Sequence, residues 1–295
     1  MPTAHAPNPR RAAVLMLASV ALFSLMDAGL KALSAHYPPF QVAALRGASS
    51  LPLVAAWALS TAGWRALLAV RWPLHLLRGV LGIAMMASFV YALRTLPLST
   101  AYSIFFVAPL LITALSVPIL RERVGPRRWT ALAVGLLGVL VVLRPSGEGM
   151  LTLAGFAVLL AAFGYAVSAI TVRVLARTDS TQAITFWLLA LMALGSGALA
   201  WSGWVPLRGE HLWIVAGIGL AGAFGQWAIT EAFRLGEASL VAPLEYSALV
   251  WGLLLDLSLW GVLPDRVTWL GAAIIIASGL YLLRRERVHA EAEHP

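Results

Sequence analysis

The chain has 295 residues, of which 60% are hydrophobic and only 12% charged, with a mean hydropathy of +0.85. A soluble domain carries about 25% charged residues, so a soluble enzyme fits poorly. The net charge of +8 lies in short loops between apolar runs rather than on the continuous basic face of a nucleic-acid binder, and the absence of cysteine removes disulfide scaffolds and thiolate metal sites.

A helix needs about 20 apolar residues to cross about 30 Å of hydrocarbon, and ten runs approach that length. The first, 12–34, carries Asp27 deep inside it. It is too long for the apolar core of a signal peptide and is read as retained. The second, 39–61, holds Arg46, and the third, 73–93, holds Met86 and Tyr91. The fourth, 98–120, aligns Tyr102, Phe105 and Pro109 at i, i+3 and i+7 and adds Pro118. A short fifth run, 127–143, is followed by 152–174 with Tyr165, 182–203 with Phe186 and Trp187, and 211–233 with Gln226, Trp227 and Glu231. The ninth, 239–262, contains Pro243, Glu245, Tyr246 and Asp256, and a short tenth occupies 267–284.

The chain also contains itself twice. Residues 79–144 fall without a gap on 219–284: Gly79 on Gly219, Gly82 on Gly222, Arg94 on Arg234, Trp129 on Trp269 and Arg144 on Arg284. One loop breaks the match. The arginines and Glu122 of 121-RERVGPRR-128 have no charged residue opposite them in 261-GVLPDRVT-268. Cytoplasmic loops collect Lys and Arg. With the N-terminus inside, fifteen basic residues lie on the inner side and five, Lys31, Arg94, Arg144, Arg208 and Arg266, on the outer, with Arg46 left within a span. Five spans per copy turn the second copy upside down, so the stripped loop falls outside. The expected fold is therefore an all-α membrane protein of ten transmembrane helices, two inverted five-helix repeats around a central cavity. The repeats cover 12–143 and 152–284, with cytoplasmic tails at 1–11 and 285–295. Inverted repeats mark secondary transporters, whose substrate site lies near mid-membrane between the halves.

The stretch 108-APLLITALSVPILRER-123, with Pro109 early in span four and Glu122 at its inner end, resembles the drug/metabolite transporter superfamily in its ten-helix EamA-type branch. Leu249 and Val262 stand where Pro109 and Glu122 would repeat, so the second copy departs from the pattern. Within the branch the chain is most similar to the YddG-type aromatic amino acid exporters. The resemblance implies helices one to four and six to nine around a cavity, with five and ten outside it, and an inner-membrane exporter of amino acids. Broad efflux of drugs or other metabolites is the alternative.

Polar groups at membrane depth are costly and usually face a cavity or a partner. Asp27 and Arg46 come to comparable depth from neighbouring spans, so they are expected either to pair or to offer Arg46 to a substrate carboxylate. Glu245 is the deeper acid of span nine and suits a proton or a substrate ammonium. Asp256 falls near the outer end, and Glu231 and Arg234 at i, i+3 read as a surface pair. Met86, Tyr91, Tyr102, Phe105, Tyr165, Phe186, Trp187, Gln226, Trp227 and Tyr246 complete the candidate pocket, apolar with a few polar anchors. Pro109, Pro118 and Pro243 are candidate kinks for gating, at positions that do not match between the copies. The GxGxxG in 217-GIGLAGAFG-225 lies inside a span and reads as close helix packing rather than phosphate binding. Scattered histidines without a metal-binding spacing predict no metal, and nothing predicts a cofactor. The implied partners are a small amino-acid substrate and the lipid bilayer, no nucleic acid, with a monomer compatible with the pattern.

Overall fold

The computed structural model describes residues 8–122, 124–143, 152–237, 241–262, 266–267, 269–271, 273–274, 277–278 and 281. Among them every regular element is helical. The α-helices are α1 (Pro9–Ser34), α2 (Pro39–Thr61), α3 (Gly63–Leu68), α4 (Trp72–Leu93), α5 (Leu98–Phe105), α6 (Val107–Leu120), α7 (Pro126–Leu143), α8 (Leu153–Leu175), α9 (Thr181–Ala200), α10 (Leu212–Leu235) and α11 (Ala248–Trp260). A 3-10 segment, Ala242–Ser247, leads into α11.

Seven described helices are long and apolar enough to cross a membrane, counting Leu98–Leu120 as one. The fifth expected span is represented by α7, Pro126–Leu143, and the ninth by the 3-10 segment plus α11. Most of the tenth span, Arg144 and the tails 1–7 and 285–295 lie outside the described residues. The outward faces are apolar, with Leu194, Phe156 and Trp213 more than half exposed. Such surface suits a lipid environment, and with seven helices of membrane-spanning length the chain is a multi-pass membrane protein.

Helix starts follow local chemistry. Asn8 Oδ1 accepts from the Arg11 N–H at 3.0 Å, Thr152 Oγ1 from Gly155 at 3.1 Å and Ser180 Oγ from Ala183 at 3.2 Å, each satisfying an orphan donor of the first turn. Pro109 has no N–H for the carbonyl of Phe105 four residues earlier, and the helix breaks there into α5 and α6. Pro118 sits inside α6 without ending it. Pro243 stands at the start of the 3-10 segment. The prolines do not match between the copies, yet the breaks do. Phe106, the junction residue of the fourth span, corresponds to Tyr246 in the 3-10 segment, and their rings meet edge to face at 5.1 Å.

The main packing partners of the first-half helices are second-half helices: α1 on α10, α2 on α9, α4 on α8. The repeated glycines sit at matching crossings. A Cβ on Gly79 would meet Leu191 of α9 at 2.8 Å, and one on Gly219 would meet the Ser49 carbonyl of α2 at 2.7 Å. Small residues here let helices approach closely, the role that Gly219 and Gly222 of the GxGxxG run perform.

Each end of the bundle is tied. The first end is the one where α1 begins. There the Asn8 N–H donates to the Leu235 carbonyl at 3.2 Å, and Thr181 Oγ1 donates to Glu231 Oε2 at 2.6 Å. Arg234 pairs with Glu231 at 3.6 Å as expected, but Glu231 is buried rather than on the surface, where Thr181 at the start of α9 packs on it. At the second end Arg94 donates to the carbonyls of Ser34 at 3.1 Å and Tyr37 at 2.9 Å. Tyr37 in turn bonds His211 Nδ1 at 2.8 Å, and Gln41 exchanges two bonds with the Val205 backbone. Asp256, expected near the water, is buried. Its Oδ2 accepts from the Ser99 N–H at 3.0 Å, a cap for the first turn of α5.

The connection between α8 and α9 carries Asp179, whose Oδ2 lies 2.8 Å from His75 Nε2. Burial works to raise the Asp179 carboxyl, but hydrogen bonds from Thr178, His75 and the Arg71 N–H, with the charge of His75, hold it below its ordinary value. A carboxylate depressed in the folded state stabilises above its unfolded value of 3.8, and that stability is lost as pH falls through the folded value. Asp179→Asn is therefore expected to lower the apparent melting temperature at neutral pH and to approach wild type only as pH falls well below 3.8. An equal gap at both pH values would count against this role.

Candidate functional site

A cavity of about 160 Å³ lies between the halves, where about 10–15 Å³ holds one water, so it is far larger than a packing defect. Its walls come from α1, α2, α4, α5, α8, α9, α10 and the 3-10 segment, and it leans towards the first end, reaching Arg78, Val172 and Phe233.

Of the candidates read from the sequence, Asp27, Arg46, Met86, Tyr102, Phe105, Tyr165, Gln226 and Glu245 line this cavity. Asp27 and Arg46 make no direct ion pair or hydrogen bond, although each lies within electrostatic reach of the other. Asp27 Oδ2 accepts from the Tyr102 hydroxyl at 2.9 Å. Arg46 donates to Gln226 Oε1 at 3.2 Å and makes a long contact, 3.6 Å, with Met192 Sδ, while its Nε is buried with no partner. Its guanidinium also lies 5.9 Å from the Phe23 ring centre, within cation–π range. Gln226 is held in turn by Thr230 Oγ1 at 3.3 Å. On the opposite wall the Tyr165 hydroxyl donates to Glu245 Oε1 at 2.9 Å.

The two carboxylates are thus held alike. Asp27–Tyr102 joins the first and fourth spans, and Tyr165–Glu245 joins the sixth and ninth, the same pair of spans in each copy with donor and acceptor exchanged. Between them runs an aromatic wall: Phe89 stacks on Tyr102 at 6.3 Å and meets Phe105 at 5.8 Å, and Phe105 meets Tyr165 at 5.4 Å. Tyr102→Phe and Tyr165→Phe are each expected to cost about 1–2 kcal/mol of stability, read as a lower apparent melting temperature. A variant as stable as wild type would show that the tyrosine does not hold its carboxylate.

Five candidates lie elsewhere, for reasons of helix phase. Gln226, Ile229, Thr230 and Phe233 share one face of α10, and Trp227 falls about 100° away from it. Tyr91, two residues past Phe89, is 39% exposed on the outside of α4. Phe186 and Trp187 pack towards α2 and α3: Trp187 Nε1 donates to the Leu67 carbonyl at 2.7 Å and its ring meets Trp72 at 4.5 Å. Tyr246 is buried against Phe106 and Gly135. The sequence reading also missed residues. Arg78, one of the fifteen basic residues counted on the inner side and not a site candidate, is buried inside α4 and lines the cavity with Met85 and Phe89. Their spacing, i, i+7 and i+11, is a one-face helical signal that could have found it. Ser168 and Thr230 carried no such signal. No group of His, Asp and Glu suited to a metal ion occurs among the described residues.

The chain resembles known proteins over nearly its whole length. It is 28% identical over 291 residues to a riboflavin transporter of Vibrio cholerae, covering 97% of each chain. It is 28% identical to a pseudopaline exporter of Pseudomonas aeruginosa, covering 90% of this chain and 93% of the relative. It is also 28% identical to an S-adenosylmethionine uptake transporter of Rickettsia prowazekii, covering 94% of each. A protein known from a crystal structure shares the fold, with a TM-score of 0.76 at 22% identity over 93% of this chain and 98% of that one. None of these names is that of an aromatic amino acid exporter, so the narrower resemblance does not hold among them. The family model for EamA-like transporters matches twice, at residues 10–144 and 152–284, and the chain belongs to the EamA-like transporter family.

Proposed function

We propose that the protein carries a small amphiphilic metabolite across the bacterial inner membrane by alternating access through this cavity, on ten spans arranged as two inverted halves, 12–143 and 152–284. The observation that carries the reading is the cavity itself. It is aromatic-walled, lies between the halves, and is furnished with two tyrosine-held carboxylates and arginines at two depths. Buried charge of both signs without mutual pairing is expensive in a membrane, and a dipolar solute would offset it. The positive-inside count puts both termini in the cytoplasm. The relatives' names favour a metabolite such as a flavin or a sulfonium nucleoside over an amino acid, and they include uptake and export, so the reading carries no direction. Export of aromatic amino acids is the narrower reading, supported by the aromatic wall alone.

The test is counterflow in proteoliposomes with labelled riboflavin, S-adenosylmethionine, tryptophan and phenylalanine. Wild type is expected to exchange at least one of them in a way that unlabelled compound competes. Exchange no faster than in protein-free liposomes for every solute would refute the reading.

A further inference from the structure

The carboxylates and Arg46 leave one charged group of the cavity without a role. Arg78 lies six residues into α4, about 9 Å from its start, and is 2% exposed. Its Nε donates to Ser168 Oγ at 3.3 Å and one terminal nitrogen to the Ile184 carbonyl at 2.9 Å. Both acceptors are neutral. A guanidinium has five N–H donors and stays charged, so most of its hydrogen-bonding capacity is unspent. No carboxylate forms an ion pair with it among the described residues. Asp179, the acid at this end of α4, is occupied by His75 and the Arg71 N–H.

A buried cation without an anion is costly. If Arg78 served only to join α4 to α8 and α9, its two bonds would need a donor, not a charge. The charge is explained if the anion comes with the solute, since Arg78 and Ser168 both face the cavity. We propose that Arg78 and Ser168 form an anion-binding end of the cavity, which takes an oxyanion group of the solute, carboxylate or phosphate. The planar fork suits such a group bidentately, and the Ser168 hydroxyl adds a donor. The assignment rests on the reading of this cavity as the solute site, and it gives the site a polarity: an oxyanion towards the first end, the aromatic body against Phe89 and Phe105, a cationic or donor group towards Asp27 or Glu245.

Calorimetric titration of the purified full chain in detergent tests it with three probes: indole-3-propionate, inorganic phosphate and tryptamine. At least one of the two anions is expected to bind wild type, and Arg78→Gln to weaken that binding about tenfold, a change of about 1.4 kcal/mol. Tryptamine, which has the ring but no anion, is expected to change less than about twofold, well under 1 kcal/mol. Arg78→Lys, which keeps the charge and loses the fork, is expected to fall between, and it decides the matter should Arg78→Gln not fold. Whichever anion responds names the group. No anion binding to wild type, anion affinity unchanged in the variants, or equal weakening of tryptamine would overturn the assignment. Anion binding that depends on Arg78 but comes without counterflow would overturn the transport reading alone. Counterflow without such binding would overturn only this one.

Discussion

Glu245→Gln is expected to lower counterflow by about tenfold to a hundredfold, equivalent to about 1.4–2.7 kcal/mol, while leaving the protein folded. The amide is nearly isosteric and its oxygen still accepts from Tyr165, so the 2.9 Å bond survives and only the capacity to carry a negative charge or a proton is lost. A charge-assisted bond to a cationic solute is roughly twice as strong as a neutral one, and in a cavity walled by Phe89, Phe105 and Tyr165 little water competes for it. Asp27→Asn is the matching change on the other wall and is expected to act in the same direction, because Tyr102 holds Asp27 as Tyr165 holds Glu245. Initial counterflow rates, normalised to the folded protein in the vesicles, check both. Rates within twofold of wild type for the two variants together would remove the carboxylates from the mechanism.

Gly47→Leu is expected to abolish the yield of folded protein. Gly47 sits where α2 crosses α9, and a Cβ there would lie 2.8 Å from the Ala193 backbone nitrogen and 3.0 Å from the Leu189 carbonyl. The obstruction is backbone, which cannot rotate away, so α2 would have to leave α9. Even Gly47→Ala is expected to cost about 1–3 kcal/mol by overpacking. Gly197→Ala, inside α9 with open space around its Cβ position, is the control and is expected to gain about 0.5–1 kcal/mol from helix propensity. Apparent melting temperatures in one detergent compare the two alanine variants. Opposite signs are expected, and a neutral Gly47→Ala would show that the crossing has slack. The neighbour Arg46 depends on that crossing for its place in the cavity, so Gly47→Ala should also slow counterflow.

Much of this was legible in the residues. The repeat was visible because glycine, arginine and tryptophan stand out against an apolar background, and the structure gives Gly79 and Gly219 matching tasks. Asp27, Arg46 and Glu245 could be picked out because charge is costly in hydrocarbon and rarely idle there. Aromatic residues carried far less information. Tyr102, Phe105 and Tyr165 reached the cavity while Tyr91, Trp187 and Trp227 did not. In a helix apolar on every side, hydrophobicity does not mark the inner face, and about 100° of rotation decides the outcome. Arg78 was misread for a different reason: an arginine near a span's end can snorkel to the surface or turn inward, and only its helical spacing with Met85 and Phe89 points to the inner face.

The sequence by itself determined a multi-span helical membrane chain, a duplication, and a small set of charged residues too expensive to be incidental. These follow from transfer energies and periodicity, which act residue by residue. Only the tertiary structure decided which charges meet. It separated Asp27 from Arg46, gave each carboxylate its own tyrosine, turned Arg78 inward, and aligned the breaks at Phe106 and Tyr246 although the prolines do not match. Those outcomes depend on the phase and crossing of helices far apart in the chain, set by close contacts such as Gly47 on Ala193, and no local pattern records them.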